Sequence, residues 1–123
     1  MKPVITILAS FILVSMPLVQ LSKADVPPSQ KTEVEYLLGL VKNSACKFER
    51  NGKIYDVEKA YEHIEMKYEH FRDEITSTET FIEYAATKSM ISGKDYLIRC
   101  GDRAPVKTSD WLSEELKKYR ESR

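Results

Sequence analysis

Apolar residues recur along this chain with two different periods, and the switches between them outline its elements. Val34, Leu37, Leu38 and Val41 fall at i, i+3, i+4 and i+7, one stripe of a helix that ends near Asn43 or Ser44. Thr32, with Glu35 three residues on, is the expected capping box, and the polar lead ADVPPSQK before it is expected to stay extended. The period then changes: CKFERNGKIYD places Asn51-Gly52 between two short runs of strand formers, and Asn-Gly is the favoured pair for a type I′ turn because both central residues need positive φ. A second helix follows Asp56, its stripe being Val57, Ala60, Tyr61, Ile64, Tyr68 and Phe71, and its sequence reaching Ile75. Thr76 and Glu79 offer a capping box for a third helix with Phe81, Ile82, Ala85 and Ala86 inward. SGKDYLIRC is a turn leading into a strand, GDRAPVK is a loop, and Thr108 or Ser109 opens a last helix carrying Trp111, Leu112, Leu116 and Tyr119. Four helices, a hairpin and one later strand make an α+β domain, its small antiparallel sheet covered on one face by about four helices.

A hairpin turning on Asn51 and Gly52 sets Phe48 opposite Tyr55, and strand alternation groups Cys46, Phe48 and Tyr55 on one face. The later strand groups Tyr96, Ile98 and Cys100 in the same way. An antiparallel pairing that puts Phe48 against Ile98 also puts Cys46 against Cys100, so strand register and a disulfide agree. Both cysteines of the chain are used. Closing so long a loop is worth about 4 kcal/mol in the chain-entropy picture.

The disulfide requires an oxidising compartment, and the first residues supply an address. Lys2 precedes an uncharged run from Val4 to Leu21, broken late by Pro17, and Ser22-Lys23-Ala24 has the small residues of a cleavage site. Residues 1–24 therefore read as a cleaved signal peptide rather than a membrane anchor, and residues 25–123 as a single domain, exported and free of the membrane. Losing Lys2 and Lys23 leaves the mature chain with a small net negative charge spread along its length, which excludes the concentrated basic surface that nucleic acid requires.

Candidate chemistry is sparse. Ser92-Gly93-Lys94 follows a helix and enters a strand, the reverse of the order in a phosphate loop, so Gly93 is expected to serve a turn needing permissive φ. His63 and His70 lie too far apart on one helix to chelate a metal together, and His63 is expected to be half-buried and hydrogen-bonded, a neighbour of Lys67. The charged Glu58, Glu62, Glu65 and Glu69 fit a solvated helix face. No metal, cofactor or catalytic residue is expected. A small enzyme of unknown reaction remains an alternative, and would show a cleft where His63 meets another polar side chain.

In combination, FERNG, the A-x-x-H-I-x-x-K of Ala60, His63, Ile64 and Lys67, TETFI and SGKDY resemble the YfeK-like family of short exported proteobacterial proteins, a domain of unknown function. The ending SDWLSEELKKYR and the Cys46/Cys100 pair are similar to its longer-tailed members. The resemblance implies a Gram-negative periplasmic address and brings no activity, ligand or partner. A narrower resemblance joins Ser92-Gly93-Lys94-Asp95-Tyr96 to the S-G-x-x-Y loop of periplasmic lysozyme inhibitors. The expected function is thus a non-catalytic binding or envelope-associated domain, its partner an unknown periplasmic protein or envelope component. Inhibition of a lysozyme-type cell-wall hydrolase is the alternative. Ser92, Gly93, Lys94, Tyr96, His63 and Lys67 are the candidate binding residues.

Overall fold

A computed structural model describes residues 3–4, 9–15 and 25–123. Most of the expected signal peptide, including Lys2, Pro17 and the cleavage site after Ala24, lies outside the described residues. Helix α1 spans Pro28–Asn43 and turns its stripe of Val34, Leu37 and Val41 into the core. It starts four residues before the expected Thr32 cap. Pro27 takes the N-cap position without a side-chain bond and Pro28 the first helical one, where a missing N–H costs nothing and the fixed φ is already helical. The extra turn brings Glu33 inside the domain, 2% exposed.

Strands β1 (Lys47–Arg50) and β2 (Lys53–Tyr55) form the hairpin, with φ of 53° at Asn51 and 78° at Gly52. Helix α2 runs Val57–His70 from an N-cap at Asp56, whose side chain makes no cap bond and lies instead 3.7 Å from Lys47. It is shorter than its sequence pattern: a turn at Phe71–Glu74 ends it and drops Ile75 into the core as a fully buried side chain. Helix α3, Thr78–Ala86, is capped one residue later than expected. Ser77 accepts from the Thr80 N–H while the Thr80 hydroxyl accepts from the Ser77 N–H, so threonine does what glutamate does in the usual box.

Strand β3 (Leu97–Arg99) is followed by a fourth strand that the sequence pattern concealed, β4 (Val106–Lys107), and then by α4 (Thr108–Glu121). The all-antiparallel sheet has the order β2-β1-β3-β4, and Phe48 stands opposite both Tyr55 and Ile98, the expected register. Cys46 and Cys100 continue that ladder and are bonded, S–S 2.04 Å. Helices α2 and α4 meet the inner face of the sheet, where Phe48 and Ile98 are buried; Ile54 lies on the other face, and Val106, opposite Ile98 on the edge strand, stays half-exposed. The core gathers Leu37, Ile75, Phe81, Ile98 and Leu112, the largest apolar side chains the domain encloses completely.

Candidate functional site

Where α2 crosses the hairpin, the fold leaves an open cavity of about 310 Å³. Its walls are mainly apolar: Phe48 from β1, Tyr55 from β2, and Ala60, Ile64 and Met66 from α2. At one end the polar side chains of Arg50, His63 and Tyr96 line it from three segments, with Lys67 bonded to Tyr96 beside them. Arg50 ends β1 on the same face as Phe48, so strand alternation turns its guanidinium inward. There it stacks 4.8 Å from the Tyr55 ring centroid. His63 and Lys67 share one side of α2, four residues apart. Tyr96, 7% exposed, enters from the segment before β3.

Their hydrogen bonds form one chain. Arg50 Nη1 is 2.6 Å from His63 Nδ1 and 3.1 Å from Nε2. A guanidinium only donates, so the shorter contact makes Nδ1 the acceptor and leaves the ring proton on Nε2. Nε2 then donates to Tyr96 Oη at 2.9 Å. Lys67 Nζ donates to the same Oη at 3.1 Å and to the Lys88 carbonyl at 2.8 Å.

The electrostatics follow from this crowding of donors. Burial, reinforced by Arg50 and Lys67, pushes the His63 pKa down to about 4, so the imidazole is neutral at pH 7. Burial, with Arg50 adding to it, brings Lys67 down to about 8, and burial raises the Tyr96 phenol. Among the described residues no carboxylate pairs with Arg50, His63 or Lys67. Lys67 occupies a position that helical spacing makes apolar, three residues after Ile64 and four before Phe71. That anomaly, together with the inward parity of Arg50, was the available sequence signal for the cluster, and Arg50 was the member that sequence reasoning missed.

The other candidate residues sit elsewhere. Ser92, Gly93 and Lys94 lie in an exposed turn after α3, with Gly93 at φ 70° as its position demands. Gly93 N–H donates to the Ser89 carbonyl at 2.9 Å, and the Ser92 hydroxyl donates to the side-chain oxygen of Asn51, tying the turn to the tip of the hairpin. Tyr96 is not presented with them: its ring is buried and its hydroxyl belongs to the His63 cluster. A Cβ at Gly93 meets nothing within 4 Å, so Gly93→Ala is expected to cost only the left-handed strain, about 1 kcal/mol, as a lower urea midpoint with an unchanged slope.

A family model matches residues 28–120. The chain belongs to this family of unknown function, DUF5329. No curated protein and no solved structure matches it. The matched residues of this DUF5329 domain run from the first turn of α1 almost to the end of α4, so they contain the cavity, the disulfide and the Ser92 turn together. Within the domain no described helix is long and apolar enough to cross a membrane, and no described group of three His, Cys, Asp or Glu side chains is arranged to hold a metal ion.

Proposed function

We propose that this DUF5329 protein is an exported, non-catalytic binding domain of the periplasm, YfeK-like in kind, whose ligand enters the cavity between α2 and the hairpin. The carrying observation is the cavity itself: concave and apolar-walled, with a few converging polar groups at one end, the usual make-up of a small-molecule site. Export is supported by the disulfide and by the leader, whose described apolar residues Phe11 to Val14 are at least 73% exposed and take no part in the core. A non-catalytic role is supported by His63, since Arg50 takes the lone pair on one ring nitrogen and Tyr96 the proton on the other, leaving no free nitrogen to act as a base.

The test is a fragment screen followed by amide NMR on the exported, processed chain. Shifts confined to β1, β2, the first half of α2 and Tyr96 are expected. Scattered shifts, or none at millimolar fragment, would remove the cavity from consideration. Intact mass of the same material should correspond to residues 25–123 less two hydrogens.

One observation favours a second reading, a small enzyme: His63 meets Tyr96 and, through it, Lys67 inside a cleft. Turnover of an ester or phosphoester panel that is abolished by His63→Gln in a folded variant would establish it. The lysozyme-inhibitor alternative rests on Ser92, Gly93 and Lys94 alone. Slowing of a c-type lysozyme that is lost on Ser92→Ala or Lys94→Ala would place the function at that turn.

A further inference from the structure

The polar end of the cavity consists of donors that have run out of acceptors. Tyr96 Oη accepts from both His63 Nε2 and Lys67 Nζ, so its own O–H proton must point to a third group, and no described residue accepts it. Tyr96 is 93% buried by its exposure of 7%, which makes an unspent donor there costly. Arg50 has spent one nitrogen on His63 and shares another with Tyr55 Oη at a long 3.4 Å, and among the described residues it too meets no carboxylate. Lys67 is 6% exposed and, among the described residues, likewise has no counterion.

The rim does not cancel this. Glu62 is paired with Lys59 at 3.6 Å on the exposed rim, leaving Glu49 as the one other lining carboxylate, among the described residues, to set against Arg50.

We infer that the cavity takes a small monocarboxylate with an apolar body, its carboxylate accepting from Arg50 and from the Tyr96 hydroxyl and its body lying along Phe48, Ala60, Ile64 and Met66. This rests on reading the cavity as the binding site, and names the class of ligand. A planar carboxylate matches the guanidinium fork, and it supplies the oxygen that the Tyr96 proton lacks. The walls select against inorganic anions, which would leave Phe48 and Ile64 facing nothing apolar. A cavity near 310 Å³ lies at the small end for ligand sites, which limits the acid to a short chain or a single ring.

The experiment is a titration, followed by NMR and calorimetry, of the exported chain with two acids, hexanoate and 3-phenylpropanoate, and with their neutral primary amides. The acids should bind about tenfold or more tighter than the amides, since one charge-assisted hydrogen bond is worth at least that ratio. Arg50→Gln and, separately, Tyr96→Phe should each reduce acid binding by about tenfold while changing amide binding less than threefold. Arg50 ends a strand and is only partly buried, so its variant keeps the fold testable if the buried Tyr96→Phe does not. Amides binding as tightly as acids would overturn the carboxylate assignment while leaving a binding cavity in place. If neither class shifts the cavity residues, both this inference and the cavity reading fall.

Discussion

Replacing Cys46 and Cys100 together by alanine is expected to lower the free energy of unfolding by about 4 kcal/mol. The two are separated by 54 residues, and the loop they close holds the hairpin, α2, α3 and β3. Without the bond the unfolded chain recovers the freedom of that whole loop, while the folded chain keeps its strand pairing from Phe48–Ile98. A domain of this size has about 5 to 15 kcal/mol in total, so the loss takes at least a quarter of it. At roughly 4 to 8 °C per kcal/mol, the melting temperature should fall by about 15 °C or more. Urea denaturation of the wild type with and without reductant, beside the double variant, measures it directly. Reduced wild type and variant should coincide. A loss under about 1 kcal/mol would mean that the bond does not constrain the unfolded ensemble.

Glu33→Gln is expected to cost about 2 kcal/mol at pH 7 and almost nothing near pH 2. The Glu33 carboxylate ties three helices together: it accepts from Arg120 at 2.8 and 3.0 Å and from Arg123 at 2.6 Å, all on the C-terminal segment, and from the Thr78 hydroxyl of α3 at 2.7 Å. The Arg120 bonds, overcoming burial that acts the other way and helped by Thr78 and Arg123, hold its pKa down to about 2. A carboxyl whose folded pKa lies below its unfolded value stabilises fully above the unfolded pKa, 4.5 here, and loses that contribution as pH falls through the folded one. The gap corresponds to at most about 3 kcal/mol, and the two arginines, 41% and 48% exposed, are screened enough to bring it nearer 2. Arg120 also bonds Glu79, whose pKa is lowered chiefly by that bond, so the two carboxylates share the guanidinium. For this reason the difference between wild type and variant, rather than either curve alone, isolates Glu33. Urea midpoints at pH 7, 4 and 2.5 should show that difference shrinking steadily. A difference that stays constant with pH would assign the cost to lost shape rather than lost charge.

What could be read in advance was whatever depends on neighbours in sequence. Asn51-Gly52 dictates its turn because both residues tolerate positive φ, and once the turn is fixed, alternation alone aligns Phe48 with Tyr55. Helical stripes reported their inner faces correctly because a period of 3.6 leaves little choice about which side is buried. Caps were less legible: Thr76, Ser77 and Thr78 offer equivalent hydroxyls, and packing of Thr78 against Gln30 and Glu33 selects Ser77 as the one left to cap. The cavity was half legible. Lys67 breaks its stripe visibly, yet nothing in the sequence says that it meets Tyr96, which lies 29 residues away.

Neighbouring residues dictate the turn, the register that pairs the two cysteines and the inner faces of the helices. Each of these follows from the steric preferences and periodicity of a few adjacent residues. Long-range packing sets where α1 begins, that Val106 and Lys107 add a fourth strand, that Glu33 is buried among arginines, and that Arg50, His63, Lys67 and Tyr96 meet in one hydrogen-bonded cluster beside a cavity. Those outcomes depend on which distant surfaces meet, because a two-residue strand or a buried charge is stable only once its partner is in place.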